Sequence, residues 1–252
     1  MYNRKGSWEN YCKLFDLFIL DFGNEEDLSA ALPAHWLWDI LDEFVFHYQV
    51  FCTYRNKCVK MQTKQAETDL KKIRSCPDVF STPKVLMYLH ELAEKSGIEA
   101  YLTSSAEEQA AGQENVFKYE VVRRMGYFSM MQLLRMSLLG DYQMALETVQ
   151  NVDFGAELPR FYEIPAFHVS LFYYMGFAYM MMRRYVDAIR VFCQIPSFMQ
   201  KTSRVNDLSY QFATMVKKQD SVYSRLLLCM TLYLQPGDEM IERTIREKYS
   251  GK

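Results

Sequence analysis

The sequence predicts an all-α protein built as an array of antiparallel helix pairs. Glycine and proline are scarce, with 10 and 7 among 252 residues, whereas a protein of many short strands and tight turns needs both. Apolar residues recur at steps of three and four, the spacing of one helix face, and no convincing alternation of period two occurs. Because half of the residues are hydrophobic and 15% are aromatic, these helices must cover large packing surfaces.

The first part of the chain contains the clearest helical pattern. One helix is predicted from Trp8 to Phe22 and a longer one near residues 34–60. Shorter helices are predicted over 67–74 and 82–95, the second with Gly97 just beyond its end. The longer helix has one continuous apolar stripe, formed by Leu37, Leu41, Phe44, Tyr48 and Phe51.

Three regions follow from these patterns. Residues 1–97 form an N-terminal helical region. Residues 98–113 are polar and small, which indicates a mobile loop or a weak helix at a seam between two halves. Residues 114–252 contain a long helix over about 115–139 and then helices that turn over every 10–20 residues, with breaks expected near Gly140, 155–159, Pro196 and 236–237.

A repeat in the C-terminal region decides the predicted architecture. Large, small and aromatic residues occur at the spacings of the tetratricopeptide repeat, a helix–turn–helix unit: Phe172, Met175, Gly176, Tyr179, Tyr185, Ala188, Phe192 and Ile195. Gly176 and Ala188 are expected to be small because two helices cross there at close range. Phe192 is expected to fill the gap against the next helix pair.

A weaker copy of this pattern lies upstream. Its residues align with the stretch from Arg183 to Ile195 at an offset of 43 positions: Gly140, Asp141, Tyr142, Ala145, Val149 and Val152. The repeat period is about 34 residues, so the excess indicates an insertion around residues 152–163. Two copies favour a stacked array, in which each helix pair buries a face against its neighbour.

Some residues of the first repeat helix are predicted to face an inner groove: Ser170, Tyr173, Phe177, Met180 and Met181. Such an apolar groove would not stay exposed to water. Coverage by other helices of the same chain is the favoured interpretation. The alternative is a docking surface for a partner helix, to which flexible methionines adapt.

Charge is distributed unevenly along the chain. The net charge is −2, which gives no general case for nucleic-acid binding. Residues 1–52 carry three basic and nine acidic side chains, whereas residues 183–225 carry eight basic and three acidic ones. Solvated helix faces are the favoured explanation. The alternative is a basic strip, including Arg183, Arg184 and Arg190, that contacts an acidic partner.

The sequence contains no motif that predicts catalysis, and we expect no cofactor. It lacks the nucleophile elbow, the phosphate-binding loop and the dinucleotide-binding glycines. Asp39, Glu43 and His47 lie four residues apart on one helix face, but a salt-bridge ladder is favoured over a metal site there. The six scattered cysteines indicate reduced thiols in an intracellular protein. The uncharged stretch from Ile164 to Met182 is interpreted as a buried repeat helix and not as a membrane span.

Several stretches of sequence resemble the subunit L family of eukaryotic translation initiation factor 3. The most specific is WLWDILDEF at residues 36–44, with Trp36 and Trp38. The others are MGYFS at 125–129 with LLGDY at 138–142, GFAYMMMRRY at 176–185 with DAIRVF at 187–192, and REKY at 246–249. The resemblance extends in order from about Tyr11 to Tyr249 and fades in 98–113 and 153–163.

The resemblance implies a non-catalytic, cytoplasmic scaffold subunit that helps recruit mRNA and initiator tRNA to the small ribosomal subunit. Family members continue into a PCI module with a winged helix, through which neighbouring subunits, notably E and K, assemble. This chain is expected to be the helical-repeat portion without that module. The alternatives are a subunit of a related PCI assembly such as the proteasome lid or the signalosome, an unrelated peptide-binding repeat protein, and a metal-dependent enzyme using Asp39, Glu43 and His47.

Overall fold

The computed structural model describes residues 2–21, 32–61, 63–103, 120–152, 164–202, 221–226 and 229. All regular structure in these ranges is helical, which confirms the all-α prediction. Residues 221–226 are helical, and the remaining helices are, in chain order, α1 (Tyr2–Asp21), α2 (Ala34–Lys60), α3 (Lys64–Arg74), α4 (Thr82–Lys95), α5 (Ile98–Thr103), α6 (Glu120–Ser137), α7 (Tyr142–Glu147), α8 (Pro165–Met181) and α9 (Tyr185–Thr202).

The chain forms two compact units, Met1–Leu133 and Leu134–Lys252. The predicted three-region division stays a prediction, because residues 104–113 of its seam lie outside the described residues. Composition predicted either a mobile loop or a weak helix for this seam. The part of the seam that the structure describes is a helix, α5. Its residues Ile98 and Tyr101 are buried three positions apart, and Gly97 allows the reversal after α4 with a φ of 67°.

Aromatic side chains form the centre of the first unit. Trp8 and Phe15 of α1, Phe44 of α2 and Tyr88 of α4 are buried there, together with Phe80. The ring centroids of Phe15 and Phe44 are 4.8 Å apart, and those of Trp8 and Phe80 are 5.0 Å apart. The predicted apolar stripe of α2 is buried over its whole length, which confirms its assignment as the core-facing side.

The helix α6 approaches the junction of α4 and α5 closely. A Cβ atom added to Gly126 would lie 2.8 Å from the Cβ atom of Ile98, which is too close for any side chain. Nearby, Trp38 of α2 is buried against Phe128 of α6, with ring centroids 5.6 Å apart. This contact places the second tryptophan of the WLWDILDEF stretch in the core.

Most predicted helix ends agree with the structure, with two corrections. The helix α1 begins at Tyr2 and not at Trp8. The helix α4 spans residues 82–95 as predicted, and a break separates α6 from α7 at Gly140. The predicted break at Pro196 is wrong, because α9 continues through this residue to Thr202. Ile195, Phe198 and Met199 are all buried on either side of it, so packing holds the helix together across the missing backbone donor. The breaks predicted at 155–159 and 236–237 lie outside the described residues.

Candidate protein-interaction site

The helix pair α8–α9 is held together where Gly176 meets Phe192. A Cβ atom added to Gly176 would lie 2.6 Å from Cδ1 of the Phe192 ring, so only glycine fits under that ring. Ala188 is fully buried on the facing helix. The prediction that small residues mark the crossing is therefore confirmed. The Phe192 ring lies on Gly176 within the pair, in addition to its expected role towards the following helical segment.

A single apolar cluster surrounds this crossing. The side chains buried in it come from α8, from α9, from residues 221–226 and from residue 229: Val169, Phe172, Ala188, Ile189, Phe192, Ile195, Phe198, Met199, Val222, Tyr223, Leu226 and Cys229. The positions of the weaker upstream copy are buried in the same register, with Ala145, Val149 and Val152 matching Ala188, Phe192 and Ile195. The repeat pattern thus identifies packing positions in both copies.

The predicted groove residues separate into covered and exposed members. Tyr173 and Phe177 are half-buried, and the guanidinium carbon of Arg225 lies 5.0 and 5.5 Å from their ring centroids. Arg225 is in turn held by the backbone and side-chain oxygens of Ser221. Met180 is also half-buried, whereas Met181 is 45% exposed. Another segment of the same chain therefore covers part of the groove, as the favoured interpretation expected.

Three arginines form an exposed basic patch at the α8–α9 turn. Arg184 donates to Asp187 from Nε at 2.9 Å and from Nη2 at 2.8 Å, while its guanidinium carbon lies 4.7 Å from the centroid of the Tyr179 ring. Arg190 lies 3.7 Å from the same carboxylate. Arg183 has a φ of 62°, and the amide of Arg184 donates to the carbonyl of Tyr179, which closes the helix end. The patch, defined as Arg183, Arg184 and Arg190, keeps a net positive charge.

A cleft of about 330 Å³ lies between α7 and α8 within the second unit, and motif reasoning did not predict it. Polar side chains on its walls include Gln143, Glu147 and Arg184, and Met175 lies among its apolar ones. Gln143 donates to Glu147 at 3.2 Å. The cleft extends from Arg184 of the arginine patch to the packing surface between α7 and α8. No spacing of residues in the sequence predicts a cavity of this kind.

The second unit contains a buried histidine, His168, in the uncharged stretch that the sequence predicts to be a buried helix. The His168 ring is 1% exposed and lies 4.2 Å from Phe198 and 4.7 Å from Phe172, measured between ring centroids. Burial lowers the pKa of His168 from 6.5 to about 3, so the imidazole is neutral at physiological pH. A histidine inside an uncharged helix has no periodic signal of its own.

The residues weighed as a metal site do not form one. His47 is hydrogen-bonded to Ser7 at 3.2 Å, and Tyr11 donates to Glu43 at 3.4 Å, so both residues join α2 to α1. A salt-bridge ladder along α2 was expected for these residues, whereas Glu43 and His47 form hydrogen bonds to α1. Within the part of the chain that the structure describes, no group of three or more potential ligands could hold a metal ion.

The uncharged stretch around α8 was considered as a membrane span, and helix length and hydropathy test that alternative. None of the described helices is long and apolar enough to cross a bilayer. Nine residues of α8 are buried, which agrees with the interpretation of this stretch as a repeat helix packed between neighbours.

Comparison with known proteins extends over almost the whole chain. Residues 3–252 match the family model described as RNA polymerase I-associated factor PAF67. Eukaryotic translation initiation factor 3 subunit L from Xenopus tropicalis and from Homo sapiens is 37% identical over 98% of this chain, and that from Danio rerio is 36% identical over the same share. This chain spans 43% of the first two relatives and 42% of the third, which is less than half of their length.

Proposed function

The chain belongs to the family described as RNA polymerase I-associated factor PAF67, and from its match to subunit L of translation initiation factor 3 we propose that it is a non-catalytic scaffold subunit of that factor. In this role it supports assembly with other subunits, with E and K as the expected neighbours. The assembled factor then aids recruitment of mRNA and initiator tRNA to the small ribosomal subunit in the cytoplasm.

The observation that carries this proposal is the similarity over 98% of the chain combined with an all-helical repeat architecture. Stacked helix pairs present long side-chain surfaces to other proteins, and affinity comes from their exposed side chains. The exposed ends of the α8–α9 pair provide such side chains. Met181 and the arginine patch stand clear of the packed cluster, so they are the proposed partner contacts in the second unit.

The proposal is tested by replacing Arg183, Arg184 and Arg190 with glutamate in the tagged full chain. Recovery of other factor 3 subunits and of small ribosomal subunits on the tag is then compared with the unchanged protein. We expect recovery to fall by roughly tenfold, because three reversed charges oppose an acidic partner and slow its encounter.

A matched control separates this effect from a general change in charge. Lys71, Lys72 and Arg74 are exposed on α3, and their replacement by glutamate changes the net charge equally. Circular dichroism checks that both variants fold. Equal recovery of factor 3 subunits by the two variants would reject the arginine patch as a contact. Failure of the unchanged chain to recover any factor 3 subunit would reject the scaffold proposal.

A further inference from the structure

We propose that the exposed side of α2 docks a basic amphipathic helix from a partner protein. The docking surface is a second stripe on this helix, called here the outer stripe and formed by Trp36, Asp39, Glu43, Phe46 and Val50. Their spacing of three, four, three and four residues places all five on one face, because an α-helix turns about 100° per residue. The proposal concerns the first unit and does not depend on the proposed role in translation initiation.

The outer stripe is apolar at both ends and exposed to solvent. Trp36 is 54% exposed, Phe46 53% and Val50 39%. The apolar stripe on the opposite side of the same helix, from Leu37 to Phe51, is buried. Large aromatic side chains are enriched among residues that contribute most to protein interfaces. A seam with a spacing of three and four is also the geometry by which one helix accepts side chains from another. The partner segment is therefore expected to be helical.

The adjoining edge of α1 widens this surface. A shallow groove is lined by Ser7, Asn10, Tyr11 and Leu14. The hydrogen bond from Tyr11 to Glu43 shows that this groove lies directly beside the outer stripe. An incoming helix can thus rest against side chains of both α1 and α2.

The middle of the outer stripe carries negative charge. Asp39 and Glu43 lie one turn apart, where like charges repel. Burial raises the pKa of the Asp39 carboxyl. The charge of His35 lowers this pKa, and the charges of Glu43 and Asp42 raise it. Among the described residues, neither Asp39 nor Glu43 forms an ion pair with a lysine or an arginine. A lysine or arginine from a partner would relieve this repulsion.

Charge complementarity also identifies the class of partner. Residues 1–52 carry nine acidic and three basic side chains, so nucleic acid and anionic lipid are repelled from this region. A second copy docking through the same stripe would set carboxylates against carboxylates. The expected partner segment has apolar residues at its ends, opposite Trp36 and Phe46, and basic residues in between.

The first experiment maps the contact in cells that express the full chain. A photo-crosslinking amino acid replaces Phe46, and in a matched variant it replaces Val59. Val59 is on the same helix and 64% exposed, but it lies thirteen residues further on and faces a different direction. We expect crosslinks from position 46 alone, to a segment with net positive charge and apolar residues at helical spacing.

Three outcomes of this mapping would overturn the proposal. They are crosslinks no more frequent at position 46 than at position 59, crosslinks to another part or copy of this chain, and crosslinks to an acidic segment or to nucleic acid. None of these outcomes would reject the scaffold proposal, because that proposal is tested separately, through the arginine patch and the recovery of factor 3 subunits.

The second experiment tests the charge pairing directly. Glu43→Lys is expected to reduce the crosslink yield at position 46 roughly tenfold, whereas Glu67→Lys on the exposed side of α3 leaves it unchanged. Reversing the basic residue of the crosslinked segment to glutamate should restore the yield with Glu43→Lys. Equal yields for the Glu43 and Glu67 variants, or no recovery on charge exchange, would contradict the proposed pairing.

Discussion

At the scale of single residues, the second unit depends on one glycine beneath one aromatic ring. Gly176 has no side chain to lose, yet its replacement forces the Phe192 ring out of a fully buried position. Gly140, the first residue of the weaker upstream copy of the repeat, has no atom within 4 Å of an added Cβ. Two glycines of the same repeat pattern therefore have different structural roles.

We predict that Gly176→Ala lowers the free energy of unfolding even though alanine is the better helix former. Overpacking a core costs about 1–3 kcal/mol, against a gain of about 1 kcal/mol in helix propensity. Urea denaturation measures the change, and Gly140→Ala serves as the control, with an expected change below about 0.5 kcal/mol. Adding Phe192→Leu makes room for the new methyl group. Simple additivity of the two substitutions would contradict the proposed contact.

The second prediction at this scale concerns His168 and pH. Its pKa is about 3 in the folded protein and 6.5 in the unfolded chain, so below pH 6.5 the unfolded chain binds the extra proton. Stability therefore falls as pH decreases, by about 2 kcal/mol between pH 7.5 and about pH 5. Denaturant unfolding at both pH values measures this loss. His168→Gln should remove about that much of the pH dependence, and an unchanged profile would show that the imidazole does not titrate as its burial requires.

At the scale of helices, a short helix is stabilised mainly by capping hydrogen bonds at its ends, and a longer helix mainly by the residues that it buries on one face. The six-residue helix α7 is too short to be stable alone. The carboxylate of Asp141 accepts hydrogen bonds from the backbone amides of Gln143 at 2.9 Å and Met144 at 3.1 Å. In contrast, α4 begins at Thr82, and the side chain of the preceding residue Ser81 accepts no capping hydrogen bond, so its five buried residues hold the helix in place.

We predict that Asp141→Ala lowers the free energy of unfolding by about 1 kcal/mol, since two amides at the start of α7 lose their acceptor. Ser81→Ala should change it by less than about 0.5 kcal/mol. Thermal unfolding of the two variants provides the comparison. Asp141→Asn retains an acceptor and should lie close to the unchanged protein. A loss with asparagine as large as that with alanine would show that charge near the helix dipole, and not capping, is responsible.

At the scale of the whole molecule, charge is separated along the chain while packing positions are repeated. The acidic excess in residues 1–52 contains the outer stripe, and the basic excess in residues 183–225 contains the arginine patch. The two surfaces belong to different units, so each can be altered by substitutions that leave the other intact. A scaffold with two oppositely charged surfaces can bind partners of opposite charge at the same time.

The family relationship also acts at this scale. The match covers 98% of this chain and 43% of the Xenopus tropicalis relative. Both proposed contact surfaces lie within this shared portion.

Periodicity and residue size, read from the sequence by itself, determined the helices, the buried stripe of α2 and the close crossing at Gly176. Helical spacing follows from local geometry, and a repeat pattern states in advance which residues must be small. Only the tertiary structure decided that α9 passes through Pro196, that Arg225 covers Tyr173 and Phe177, and that Trp36 is exposed while Trp38 is buried. Each of these depends on which distant side chains approach one another. Contacts between residues far apart in sequence produce no repeating pattern in the sequence. They can therefore be identified only from the packed arrangement of the helices.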